Sequence, residues 1–162
     1  ITDATALKTA LINHCVIVAR KLRAQGSQTQ RLLMFVASSP HQDGYYKKSY
    51  IYEFSVATAD SCVFANAISE VFEHLYKPGI RFYKCGVGAL ELSSHMFQQP
   101  DLFQAPIDNP KLMKCLDNIN TRYGVGTLAI ASETPTTRWH MKRAYLSPHY
   151  TTRWHNLPKI HC

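Results

Sequence analysis

A chain of 162 residues (18.4 kDa) has the size of one domain with appendages, and its 46% apolar and 18% charged residues exclude disordered, collagen-like and coiled-coil sequences. Its longest apolar run, Leu32 to Ala37, falls far short of the roughly 20 residues that a membrane-spanning helix needs, so no membrane partner is expected. Eighteen Lys and Arg against eleven Asp and Glu give a net charge of +7 and a pI near 9.2, an excess that favours a polyanion such as nucleic acid.

From the N-terminus, Leu7, Leu11, Cys15, Val18 and Leu22 recur at helical spacing, with Thr2 or Asp3 to cap the start and Gly26 to end it. Residues 31–38 are apolar at both parities and predict a strand. Ser39 to Gly44 breaks it, and Tyr50 to Val56 alternates with period two as a second strand, so the two form a hairpin. Asp60 caps a second helix whose apolar residues run from Phe64 to Leu75 before Lys77-Pro78-Gly79 stops it. A further strand is expected from about Ile80 to Leu92, with Gly86 and Gly88 marking a bulge or a close backbone approach. This α-β-β-α-β order lacks one strand of an α+β fold, βαββαβ, a four-stranded antiparallel sheet with two helices on one face. The missing first strand is expected upstream of Ile1 or in the first residues. Ile1-Thr2-Asp3 has none of the features of a signal peptide, so the chain reads as a cytoplasmic piece of something longer.

Residues 93–109 read as a linker with three glutamines and two prolines, leaving 1–92 as the first domain and 110–162 as a small, basic α/β extension. In the extension, Asn109-Pro110 suits the start of a helix with Leu112, Met113, Leu116 and Ile119 inward, closed by Gly124, and Thr127 to Ser132 suggests a short strand. The tail is the most basic part: residues 137–162 carry five Lys or Arg and no acid. Thr-Thr-Arg-Trp-His occurs there twice, at 136–140 and 151–155, which in a tail of biased composition reads as coincidence.

Catalytic constellations are missing. No set of acids has the arrangement that metal-assisted phosphoryl transfer requires, and Glu70 and Glu73 lie on the polar face of their helix. Gly86-Val87-Gly88 and Gly124-Val125-Gly126 lack the rest of a phosphate-binding loop. The five cysteines, at 15, 62, 85, 115 and 162, form neither a disulfide ladder nor a zinc pattern, and His149, His155 and His161 only approximate ligand spacing. No metal site and no cofactor are expected in this chain. Cys15 lies on an apolar stripe and reads as core filling. The sharpest short signal is Gln99-Pro100-Asp101-Leu102-Phe103 in the linker. Leu102 and Phe103 can fill an apolar pocket while the Gln99 amide bonds at its edge, or they can pack back on their own domain.

Several of these residues carry a family resemblance. The segments are Arg20-Lys21-Leu22-Arg23, Ser38-Ser39-Pro40, Tyr83-Lys84-Cys85-Gly86-Val87, Gln99 to Phe103, Leu116-Asp117-Asn118-Ile119-Asn120, and above all Trp139 to Arg143 with Leu146 to Trp154. Together they resemble the C-terminal part of a UmuC-type Y-family translesion DNA polymerase, the type of the DNA polymerase V catalytic subunit: its little finger domain followed by a C-terminal extension. The resemblance implies a sheet face that rides on DNA beside the active site, and a clamp-binding peptide at Gln99, Pro100, Asp101, Leu102 and Phe103. It implies a sliding clamp, the processed UmuD subunit and, as a further candidate, the RecA filament as partners in the SOS response. The parent would be a DNA-directed DNA polymerase using Mg2+, with the metal-binding carboxylates outside this chain.

A sequence-independent DNA surface uses basic and small polar groups against phosphates. The candidates are Ser38 and Ser39 at a strand end, Lys47 and Lys48 in the hairpin loop, and Arg81 and Lys84 in the last strand. Arg81 and Lys84 differ in parity and should face opposite ways unless the register shifts near Gly86. Arg20, Lys21 and Arg23 sit where a helix dipole favours cations in any case. Trp139, Lys142, Arg143, Arg153 and Trp154 are the candidates for partner binding, since Trp and Arg dominate interface hot spots. A free-standing RNA-binding module with an RRM-like sheet is the alternative, disfavoured because no strand carries the aromatic RNP pattern. A small Cys/His enzyme is a third and weaker reading.

Overall fold

The computed structural model describes residues 1–41, 44–96, 108–133 and 145–157. Two long helices lie on one face of a three-stranded antiparallel sheet, and a third helix is fastened to one end. Helix α1 (Ala4–Ala24) begins where the Asp3 carboxylate accepts the Ala6 N–H and ends at Gly26, whose φ of 68° only glycine adopts freely. Strand β1 (Ser27–Ser38) leads by a turn into β2 (Lys47–Thr58). Helix α2 (Ser61–Leu75) is capped by Asp60, which accepts the Cys62 N–H at 2.7 Å. Strand β3 (Phe82–Ser94) completes the sheet, and α3 (Pro110–Tyr123) follows with Asn109 as its cap and Pro110 in its first turn.

The strand order is β2-β1-β3, so the hairpin's first strand is central. Leu32, Met34 and Val36 of β1 are fully buried against Leu7, Leu11 and Cys15 of α1 and Phe64, Ile68 and Leu75 of α2. Cys15 is core filling as its position on the stripe suggests: burial, with a smaller contribution from Glu133, pushes its thiol up to about 12. Among the described residues three strands are present where four make the expected sheet. On the outer edge of β3, the Ile1 amino group donates to the Phe82 carbonyl and the Phe82 N–H donates back to Ile1, both at 2.8 Å. The first residue thus takes a place beside β3 that a fourth strand would use.

The extension differs from expectation in two respects. No strand forms at Thr127 to Ser132. Instead the Asn120 amide donates to the Leu128 carbonyl at 2.8 Å and accepts the Leu128 N–H at 3.0 Å, giving that backbone the two bonds a neighbouring strand would have supplied. Helix α3 also turns inward at Met113, Leu116 and Asn120, which leaves Leu112 half exposed and Ile119 at the margin.

Candidate nucleic-acid interface

Alternation along β1 sends Leu32, Met34 and Val36 to the helices and Arg31, Leu33, Phe35 and Ala37 to the opposite, uncovered face. Cross-strand partners share a face, so the register assigns the rest of that surface. Lys47 and Lys84 flank Ala37, Ser49 and Gly86 flank Phe35, Ile51 and Gly88 flank Leu33, and Glu53 and Leu90 flank Arg31. One end of the face therefore carries two exposed lysines on either side of an alanine. The middle carries Phe35, Leu33 and Ile51 with Ser49 and two glycines, and the other end is an ion-pair group in which Arg31 meets Glu53 at 2.5 Å and Glu91 at 2.6 Å.

Two features shape this surface. Gly86 is needed for a close approach: a Cβ there would come within 2.6 Å of the Phe35 ring. The register shift lies a few residues earlier. Ala37 pairs with Lys84 and Ser38 with Phe82, so Tyr83 is the extra residue of a bulge. The bulge turns Phe82 inward, at 3% exposure, and Arg81 falls one residue before the strand begins, where it is exposed. Arg81 and Lys84 were expected in the last strand, facing opposite ways unless the register shifts nearby; it does shift, at Tyr83, and the pairing assigns Lys84 to the open side, while Arg81 lies outside the strand.

The remaining candidates separate. Lys48 pairs with Val36 and so belongs to the helix side, and both it and Lys47 open β2 rather than lie in the hairpin loop. Ser38 is corrected outright as a surface contact. It is 2% exposed, and its hydroxyl accepts the Tyr46 N–H at 2.9 Å, so it closes the hairpin turn. Ser39 is half-buried beside the turn, where its hydroxyl accepts the His41 N–H. The aromatic rings of β2 are committed elsewhere: Tyr50 stacks on His74 of α2, and the Tyr52 hydroxyl donates to Glu70 at 2.7 Å, which raises the Tyr52 pKa. Phe35 is the ring that the central strand places on the open face, which does not provide the row of stacking platforms of an RRM.

At the far end of β1, α3 is held by polar bonds that the sequence reading missed. Arg23 makes a two-pronged ion pair with Asp117, at 2.7 and 2.8 Å, and donates a further bond to the Ala59 carbonyl at 2.7 Å and another to the Ser61 hydroxyl at 3.0 Å. Thr58 donates to Asp108 at 2.6 Å, and Asp60 accepts the Asn109 N–H at 3.0 Å. Burial, with Asp60 nearby, pushes the Asp108 carboxyl above the ordinary aspartate value despite that hydrogen bond. Arg23 and Asp117 both lie in segments singled out for their resemblance, and that was the available signal.

Gln99, Pro100, Asp101, Leu102 and Phe103 lie outside the described residues, as do Trp139, Lys142 and Arg143. Arg153 and Trp154 are exposed, Trp154 at 87% in a single 3-10 turn (Trp154–Asn156). Among the described residues no group of three or more His, Cys, Asp or Glu could hold a metal ion, and no helix is long and apolar enough to cross a membrane.

An α+β sheet with both helices on one face and a basic end on the other is the architecture of a little-finger-like domain. Residues 1–102 match the impB/mucB/samB family C-terminal domain, and residues 110–160 match a domain of unknown function, DUF4113. The chain belongs to the impB/mucB/samB family. Relatives include Protein UmuC of Salmonella typhimurium, 32% identical over 99% of this chain, and Protein ImpB of the same organism, 31% identical over 98%. Protein MucB of Escherichia coli is 29% identical over 95%. The chain spans less than two fifths of the length of these relatives, 37–39% of each. The resemblance to the C-terminal part of UmuC-type proteins therefore holds across the chain.

Proposed function

We propose that this chain is a non-catalytic portion of an error-prone translesion DNA polymerase of the SOS response, holding primer–template DNA by its phosphates and docking on the sliding clamp. The observation that carries the DNA reading is the row Lys47, Ala37, Lys84 across the open face. Two lysines with a small residue between them let a phosphate backbone approach the sheet without reading bases, as a polymerase that copies damaged template requires. Nucleotidyl transfer with Mg2+ is assigned to the rest of the parent protein, a reading supported by the chain's matching only 37–39% of the length of its relatives.

Clamp docking is assigned to Gln99 through Phe103, supported by the Gln and Leu-Phe chemistry and the position directly after the sheet domain. The basic aromatic tail, with Trp139, Lys142, Arg143, Arg153 and Trp154, is assigned to protein partners, the processed UmuD subunit first and the RecA filament second.

Fluorescence anisotropy with duplex DNA across a salt series tests the DNA reading. Lys47→Gln with Lys84→Gln should weaken binding and lower the salt slope by about 1.8, the loss of two phosphate contacts. An unchanged slope would remove the open face as the DNA surface. Leu102→Ala with Phe103→Ala should abolish capture by the clamp and leave DNA binding intact. Retention on the clamp would sink the docking assignment, and a clear preference for single-stranded RNA over duplex DNA would favour the RNA-binding alternative.

A further inference from the structure

The end of the open face opposite the lysines is built around a half-exposed cation held between two exposed carboxylates. Arg31 presents three guanidinium nitrogens, and each has a carboxylate partner: Nε and Nη2 meet Glu53 at 2.5 Å, and Nη1 meets Glu91 at 2.6 Å. One positive and two negative charges leave the group with net negative charge, although Arg31 stands in the middle strand of a basic domain. The placement of Glu91 is unusual. Cys85, Val87 and Ala89 pack toward the helices, so alternation assigns Glu91 to that side as well. Instead Glu91 adopts a φ of 52°, the one non-glycine residue with positive φ among the described residues, and its carboxylate meets Arg31 on the open face.

Resting on the reading of the open face as the DNA surface, we propose that Glu53 and Glu91 withhold Arg31 from phosphate and thereby mark where the DNA-contacting part of the sheet ends. Arg31 lies six residues from Ala37 along β1, roughly 20 Å in an extended strand, or about six base-pair steps of duplex. An unpartnered arginine there would lengthen the grip by another phosphate contact. The two carboxylates instead make the far end repel phosphate, which confines the footprint to Lys47 and Lys84 and keeps the hold weak.

The test is anisotropy with a short fluorescent duplex at several salt concentrations, using the full chain. Glu53→Gln with Glu91→Gln should tighten binding more than the control Glu70→Gln with Glu73→Gln, which removes the same charge from α2 on the helix side. The gain should steepen the salt slope by about 0.9 and so shrink about 3.5-fold between 50 and 200 mM salt. Adding Arg31→Gln should abolish the gain, whereas Arg31→Gln alone should leave the slope of the unmodified chain unchanged. Glu91→Gly suits the left-handed backbone at that position, and in place of Glu91→Gln it must give the same result, which guards against a folding artefact. A gain no greater than the control's, or one that survives Arg31→Gln, overturns the proposal. If Lys47→Gln with Lys84→Gln weakens binding while the glutamate variants gain nothing, the proposal alone fails. If the lysine variants bind as the unmodified chain does, the reading of the face fails with it, whatever the glutamate variants do.

Discussion

Asp117→Ala tests whether α3 is an integral part of the sheet domain or a loosely attached helix. The pair it breaks is intermediate between a surface and a buried ion pair, with Arg23 and Asp117 side chains 14% and 27% exposed. Exposed pairs contribute about 0–1 kcal/mol, and breaking a fully buried one costs about 3–5 kcal/mol. Arg23 keeps its bonds to the Ala59 carbonyl and the Ser61 hydroxyl, so its charge is not left unsatisfied, and the expected loss is about 1–2 kcal/mol. Helix α3 buries only Met113 and Leu116 among its apolar residues, so the loss should fall on its docking rather than on the core. Hydrogen exchange measured peptide by peptide should show residues 110–123 exchanging about 5–30-fold faster, with α1 and β1 unchanged. Arg23→Gln should have a similar effect on α3, and the double variant should cost little more than either single one. Unchanged exchange in α3, or an equal acceleration throughout the core, would refute the view that this ion pair fastens the helix.

Gly86→Ala should destabilise the sheet by about 1–2 kcal/mol in urea denaturation, the ring displacement exceeding the gain from a less flexible unfolded chain. In a Phe35→Ala background the same change should be neutral or stabilising, since the ring it collides with is gone. Asn120→Ala should cost about 1–2 kcal/mol by orphaning both backbone groups of Leu128, and limited proteolysis should then cut at residues 124–133. Asp108→Asn should raise the melting temperature at neutral pH. A carboxyl whose folded pKa is raised stabilises the fold in its protonated form, so its contribution is lost as pH rises through that value, and the variant's advantage should vanish in acid. Alkylation at neutral pH followed by mass spectrometry should label exposed Cys115 long before Cys15, whose thiol burial pushes up to about 12.

Local chemistry was legible in the sequence, and register was not. Asp3, Asp60 and Asn109 cap the three helices because each capping bond is made within three residues of the cap. The bulge at Tyr83 depends on how β3 lines up with β1, and no residue between Ile80 and Cys85 announces which one is extra. The glycines pointed to a bulge or a close approach, and Gly86 serves the second of these, the approach of Phe35. Ser38 looked like a surface hydroxyl because it stands at a strand end, yet the hairpin turn brings the Tyr46 N–H onto it. Thr127 to Ser132 has a strand's composition, but the backbone of Leu128 within it is bonded by an amide side chain from α3. In that helix a buried Asn120 occupies a position that an apolar count assigns to Ile119.

The two ends of β1 separate two tasks. The strand begins at Ser27, next to Gly26, where Arg23 and Asp60 hold α3, and it finishes near Ala37, between Lys47 and Lys84. About ten strand residues lie between, which is roughly 30 Å. Helix α3 is fastened at the first end, away from the lysines. If DNA lies at that second end, a protein partner gripping the extension does not compete with it for surface, and the closed Arg31 group stands between the two. On this geometry, substitutions at Arg153 or Trp154 should affect partner capture while DNA affinity follows Lys47 and Lys84. A shift of α3 is the route by which the two would be coupled through the described residues, and the variant that loosens Arg23 from Asp117 is the one in which it would be seen.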